Sequence, residues 1–314
     1  MRGATALIAV CAALVGCGGA AAPVAEPRAV TLALDFTPNA VHAGIFGAIA
    51  SGADRRQAIN LRVRQPASGP DGLKLLAAGR VDVAVLDIHD LGLARERGID
   101  VVGFGGLVQR PLAAVISSAA IRRPRELEGR RVGVTGLPSD DAVLRAVVEG
   151  DGGRFERVRR VTIGFSAVPS LVARKVDAVT AFWNVEGVAL RERGVRTREF
   201  KVERFGAPAY PEVVLVTMRR TLERDPSTVA RVHAAIAAGT EAALRDRRPA
   251  LRALARAGAD EPLLRAQLDA LEPALRPPLR LDRQALERWA AWDARSGILR
   301  ERPDVGRAFS LDSP

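Results

Sequence analysis

Short apolar runs alternate with longer stretches of helical apolar spacing from about residue 30 to residue 218. The runs predict strands at 31–34, 61–65, 81–86, 101–108, 112–117, 131–135, 158–165, 176–182, 200–205 and 213–218. The intervening stretches predict helices at 40–50, 70–78, 91–97, 124–127, 142–148, 167–173 and 187–193. Gly79 and Gly98 stand where a glycine closes a helix. From Asp225 onward the spacing is helical, and the last stretch holds Trp289 and Trp292. Strand and helix in alternation define an α/β chain. The order strand, polar turn, helix recurs in two halves. The strand at 112–117 starts the second half and the strand at 213–218 returns to the first. The expectation is two α/β domains with a cleft and two hinge crossovers, near 112–117 and 205–213. The first domain takes 29–112 and 207–314, the second 113–206.

Four polar turns follow strands and would converge on that cleft, where such proteins hold ligands. They are 35–42, 87–90, 136–141 and 183–186. The candidate ligand-binding residues on them are Asp35, Phe36, Asn39, His42, Asp87, His89, Ser139, Asp140, Trp183, Asn184 and Glu186. Pro38 sets the first turn, and Asn39 either caps the next helix or reaches the ligand. His42 is either a satisfied histidine on a helix face or a cleft residue. Trp183 and Glu186 are either a core indole with a capping carboxylate or a ligand pair. Ser139 or Asp140 is expected to cap the helix that follows. The turns carry Asp35, Asp87, Asp90, Asp140 and Glu186 and no arginine. That set favours a neutral or cationic ligand rich in N–H donors, and disfavours nitrate or sulfonates.

The N-terminus changes where such a protein works. Arg2 precedes an apolar run, 4–15, which is too short to span a bilayer. It ends in Leu14-Val15-Gly16-Cys17, a lipobox. Residues 1–16 are expected to be a signal peptide, and 17–28 a tether lipidated on Cys17. No later segment is apolar enough to cross a membrane, so the rest is expected to be soluble. Cys11 is the only other cysteine. The mature domain therefore has no disulfide, thiol nucleophile or cysteine metal site; no metal and no cofactor are expected. The net charge of +11 does not signal nucleic acid, because lysine is confined to Lys74, Lys175 and Lys201 and arginines interleave with Asp and Glu. No G-x-S-x-G elbow is present for a hydrolase.

Two motifs carry a family resemblance. Asp35-Phe-Thr-Pro-Asn-Ala-Val-His-Ala-Gly44 resembles the D-W-T-P-N-x-x-H-x-G signature of the periplasmic pyrimidine-precursor-binding proteins of thiamine metabolism, with Phe36 in place of Trp. Trp183-Asn-Val-Glu-Gly187 matches the W-N-x-E-G segment that lies at the ligand in those proteins. The phrase 75–84, repeated loosely at 171–179 with Arg174 in place of glycine, is common in type II periplasmic binding proteins. The resemblance implies that fold and the job of a substrate-binding lipoprotein of an ABC importer, not an enzyme. The implied ligand is a small planar N-heterocycle, most simply an aminopyrimidine. Phe36 and Trp183 would stack on its ring, and Glu186 would accept its N–H groups. Implied partners are the permease and ATPase subunits and, through the lipid, the membrane; the protein would be an extracytoplasmic monomer. Alternatives are a riboflavin or other small-molecule binder of the same fold, or a pyrimidine synthase, whose branch consumes the motif histidine and needs a cysteine-rich iron motif.

Overall fold

The computed structural model describes residues 26–67 and 71–311. The segment expected to be a signal peptide and most of the expected tether, with Cys17, lie outside the described residues. Among the described residues ten strands form two five-stranded sheets. They are β1 (Arg28–Ala33), β2 (Ile59–Arg64), β3 (Val83–Asp87), β4 (Val101–Gly106), β5 (Ala113–Ser118), β6 (Arg131–Val134), β7 (Arg159–Thr162), β8 (Ala178–Phe182), β9 (Thr197–Lys201) and β10 (Val213–Met218). The first sheet has the order β2-β1-β3-β10-β4 and the second β7-β6-β8-β5-β9. In each, three parallel strands lie beside one antiparallel strand supplied by a crossing of the chain: β10 in the first, β5 in the second. Parallel strands need helical crossovers on their faces, which is why the strands of the first sheet read as near-continuous apolar runs.

The chain passes between the sheets at 107–112 and 206–212. Glu212 ties these segments together: its buried carboxylate accepts the Leu112 N–H at 2.8 Å, and its carbonyl accepts the Ile88 N–H at 2.9 Å. Behind the first sheet, helix Ala43–Ser51 crosses helix Pro226–Arg245 at glycines. A Cβ on Gly239 would lie 2.2 Å from the Gly44 carbonyl oxygen and 2.3 Å from the Ala48 nitrogen. No helix among the described residues is long and apolar enough to cross a membrane.

Several elements differ from the sequence expectation. The strand expected at 200–205 is β9, three residues earlier, and Val202–Phe205 is a 3-10 turn. Along this edge strand Phe200 is the one fully buried residue, so the apolar pattern there is thin. β7 is shorter than 158–165 and exposed along its length. The residues expected as a turn at 87–90 open helix Ile88–Glu96 directly after β3, with Asp87 as its N-cap. Neither Ser139 nor Asp140 caps the helix Pro138–Gly150; the N-cap position is Leu137.

Candidate functional site

Between the sheets lies a cavity of about 110 Å³. The ends of β1, β3, β6 and β8 deliver its walls, as strand ends do in α/β proteins. Asp35, Phe36, Asn39, Asp87, Ser139, Asp140 and Glu186 all line it, with Asp90, and no Lys or Arg does. The lobes touch over this cavity. Phe36 meets Phe165 edge-on, with ring centroids 4.4 Å apart. Ser139 Oγ donates to Asp90 Oδ2 at 3.2 Å.

The first turn is built as a cap. Asn39 Oδ1 accepts the Val41 N–H at 2.9 Å and its Nδ2 donates to the Thr37 carbonyl. His42 lies on the turn that follows and is fully buried. Its Nδ1 accepts the Asn39 N–H at 3.2 Å, and its Nε2 lies 2.8 Å from Asp35 Oδ1. The imidazole therefore holds Asp35 at the cavity wall without lining the cavity itself.

Asp140 sits in the first turn of its helix and folds back rather than capping forward. Its Oδ2 accepts from Thr135 Oγ1 and from the Gly136 and Leu137 N–H groups, and its Oδ1 accepts from Thr180 Oγ1 at 2.7 Å. Glu186 opens helix Glu186–Glu192, and its Oε2 accepts the Phe182 N–H at 3.0 Å.

Three more candidates besides His42 turn away from the cavity. Trp183 donates its indole N–H to the Pro111 carbonyl at 3.1 Å, pinning the end of β8 to the first crossing. Lys201 Nζ lies 3.9 Å above its ring, which a ligand would otherwise stack on. Asn184 is fully buried off the cavity, and neither of its side-chain polar atoms has a partner. His89 points into the interior, with Nδ1 2.8 Å from Asp293 Oδ2 and Nε2 3.1 Å from the Tyr210 hydroxyl. Side-chain direction at a strand–helix junction changes by about 100° per residue once the helix starts. Asp87 and Asp90 therefore face the cleft while His89 faces the core. Asp87, His89 and Glu212 bring one atom each within 4.8 Å of one another, a spacing a metal could use. Both imidazole nitrogens are already committed to Asp293 and Tyr210. Phe165 was not anticipated; Gly164-Phe165, soon after β7, supplies a fifth cavity turn, and its signal is an aromatic after a glycine close to a strand end.

Burial dominates the electrostatics. It pushes Glu186 up to about 7, helped by the Asp35 carboxylate. Burial and then the Asp140 carboxylate push Asp90 up to about 7, and burial raises Asp87 and Asp140 as well. Burial pulls His89 down, but the Asp293 and Asp87 carboxylates more than offset it and hold the imidazole at about 10. For Glu186 the native state binds the proton more tightly than the unfolded chain does. Its contribution to stability is full below about pH 4.5 and is lost as pH rises through about 7. The empty protein is expected to lose stability over that window. A Glu186→Gln variant should lose less, the difference reaching on the order of 3 kcal/mol. Parallel pH profiles of Tm for the two proteins would discredit the assignment.

A model of the family described as NMT1/THI5 like matches residues 39–250. The chain belongs to that family. It is 30% identical over 204 residues to the formylaminopyrimidine-binding protein of Halalkalibacterium halodurans, spanning 64% of this chain and 62% of that protein. It is 23% identical over 231 residues to the 4-amino-5-hydroxymethyl-2-methylpyrimidine phosphate synthase THI5 of Saccharomyces cerevisiae, spanning 69% of this chain and 67% of that one. The alkanesulfonate-binding protein SsuA from Xanthomonas axonopodis pv. citri, bound to MOPS, superposes with a TM-score of 0.72 over 91% of this chain and 99% of that chain, at 19% identity. The architecture is that of a type II periplasmic binding protein, as the sequence implied.

Proposed function

We propose that this chain binds a small planar N-heterocycle bearing N–H donors, an aminopyrimidine of thiamine metabolism, and delivers it to an ABC permease and its ATPase. The observation that carries the reading is the cavity: five acidic side chains, no basic one, and room for a single ring. A cavity of about 150 Å³ accommodates benzene, so a volume of this order suits one pyrimidine ring. The name of the Halalkalibacterium relative points to the same ligand class. Phe36 and Phe165 supply aromatic edges, and Asp35, Asp87, Asp90 and Glu186 supply acceptors. The lobes 29–112 with 207–314, and 113–206, would hinge at the two crossings and close on the ligand. Lipid on Cys17 would hold the monomer at the outer face of the cell membrane.

The synthase alternative is less well supported. The chain has no cysteine after Cys17 to form the iron motif, and His42 is sealed behind Asp35 and Asn39. In a thermal-shift experiment, 4-amino-5-hydroxymethyl-2-methylpyrimidine at a hundredfold excess over its Kd should stabilise the protein by about 2.7 kcal/mol. That is a rise in Tm of roughly 5 °C or more. Taurine and other alkanesulfonates should leave Tm unchanged. A shift with sulfonates and none with any pyrimidine would overturn the ligand class.

A further inference from the structure

The polar atoms around the cavity are not equally available to a ligand. Asp140 already accepts four hydrogen bonds from its own lobe. The Asn39 amide is spent on its turn, and Glu186 and Asp87 each hold a backbone N–H. Asp90 is different. One oxygen, Oδ2, accepts from Ser139 across the cleft, and the Ser139 backbone N–H faces the same carboxyl. The other, Oδ1, is buried and has no partner; among the described residues lining the cavity it is the only fully buried side-chain polar atom in that condition. A buried acceptor left unpaired is costly, and such atoms in native proteins call for an explanation.

We infer that Asp90 determines specificity: its Oδ1 accepts an exocyclic N–H of the ligand while its Oδ2 holds Ser139 of the opposite lobe, so that the amino group is read only in the closed form. The inference rests on the proposed ligand class and assigns the reading of the amino group to one residue of helix Ile88–Glu96. Two properties of the site support it. Ser139 lies in the first turn of helix Pro138–Gly150, so Asp90 places its carboxyl at that helix N-terminus from the other lobe. Burial and the Asp140 carboxylate push Asp90 up to about 7, with His89 pulling the other way. Either protonation form can present Oδ1 as an acceptor. A ligand with an amino group at that point gains a buried hydrogen bond, and one without it leaves the acceptor orphaned. Sites built this way discriminate strongly against the analogue that lacks the group.

The test compares two probes, 4-amino-5-hydroxymethyl-2-methylpyrimidine and the same compound with hydrogen at position 4, by calorimetry on the full chain. Wild type should prefer the amino compound by at least ~10-fold. In Asp90→Asn the side-chain oxygen is retained by the Ser139 N–H, and the amide N–H faces the ligand. The preference should collapse to within about threefold, chiefly through weaker binding of the amino compound. Asp90→Ala, which has no acceptor in any rotamer, should give the same collapse. Ser139→Ala should weaken both probes alike and keep the ratio, because it loosens closure without touching Oδ1. An unchanged ratio in both Asp90 variants overturns the inference while the function stands. Wild type that binds neither probe overturns the function and the inference together.

Discussion

Asp293→Ala is expected to cost about 3–5 kcal/mol of stability, the usual penalty for stripping one partner from a fully buried ion pair. Asp293 and His89 are both 0% exposed, and Asp293 Oδ2 lies 2.8 Å from His89 Nδ1. Without that carboxylate the imidazolium keeps only Asp87 and Glu212 nearby, and its hydrogen bond to Asp293 is gone. The lesion spreads to the second crossing. Tyr210, in the second crossing segment, bonds His89 Nε2 and stacks on Trp292 with ring centroids 5.9 Å apart. The sign of the pH dependence follows from the raised imidazole. The stabilisation by the pair is full below about pH 6.5 and is lost as pH rises through about 10. The gap between wild type and variant should therefore be widest at pH 6 and narrow toward pH 10. Thermal denaturation should show a Tm lower by roughly 10 °C near neutrality. A variant that melts within 2 °C of wild type, by the same scale, would mean that His89 is neutral in the fold.

Gly239→Ala is the second large expected loss, about 3 kcal/mol. The added methyl would meet backbone on the facing helix, the Gly44 carbonyl at 2.2 Å and the Ala48 nitrogen at 2.3 Å, and no rotamer can relieve such a contact. The helices Ala43–Ser51 and Pro226–Arg245 would have to move apart, carrying the first of them away from the turn that holds Asp35 and Asn39. Ligand affinity should fall along with stability. Gly306→Ala is the control: a Cβ there meets only Asp304 Oδ1, at 3.4 Å, and its backbone does not lie in the left-handed region. Denaturant titration of the two variants separates the effects, and equal losses would show that the helix crossing yields.

Much of this architecture is legible in the chain itself. Alternating apolar runs and helical stretches announce an α/β protein, and the return of Val213–Met218 to the first sheet follows from the strand sequence. The placement of Asp35, Asp87, Asp140 and Glu186 around one cavity follows from strand ends pointing the same way. β9 starts three residues before its apolar run because an edge strand buries few residues and leaves a weak pattern.

What the sequence determines by itself is therefore local: the period of each element, the turns that end the strands, and the acidic, arginine-free character of those turns. It also carries the two motifs on which the family resemblance rests. Tertiary structure decides which atoms on those turns face the cavity. His42, His89, Trp183 and Asn184 look like ligand residues by type and position, yet each is turned into protein by a partner or by burial that lies far along the chain or across a turn. The partners of His89 and Trp183 are Asp293, Tyr210, Pro111 and Lys201, brought together by long-range packing rather than by sequence spacing. Asp90 is the converse: an ordinary acidic residue in a helix, given an unpaired buried oxygen by the approach of Ser139 from the opposite lobe. Local period is a property of neighbours in the chain. Desolvation and pairing are properties of neighbours in space, and only the folded chain supplies those.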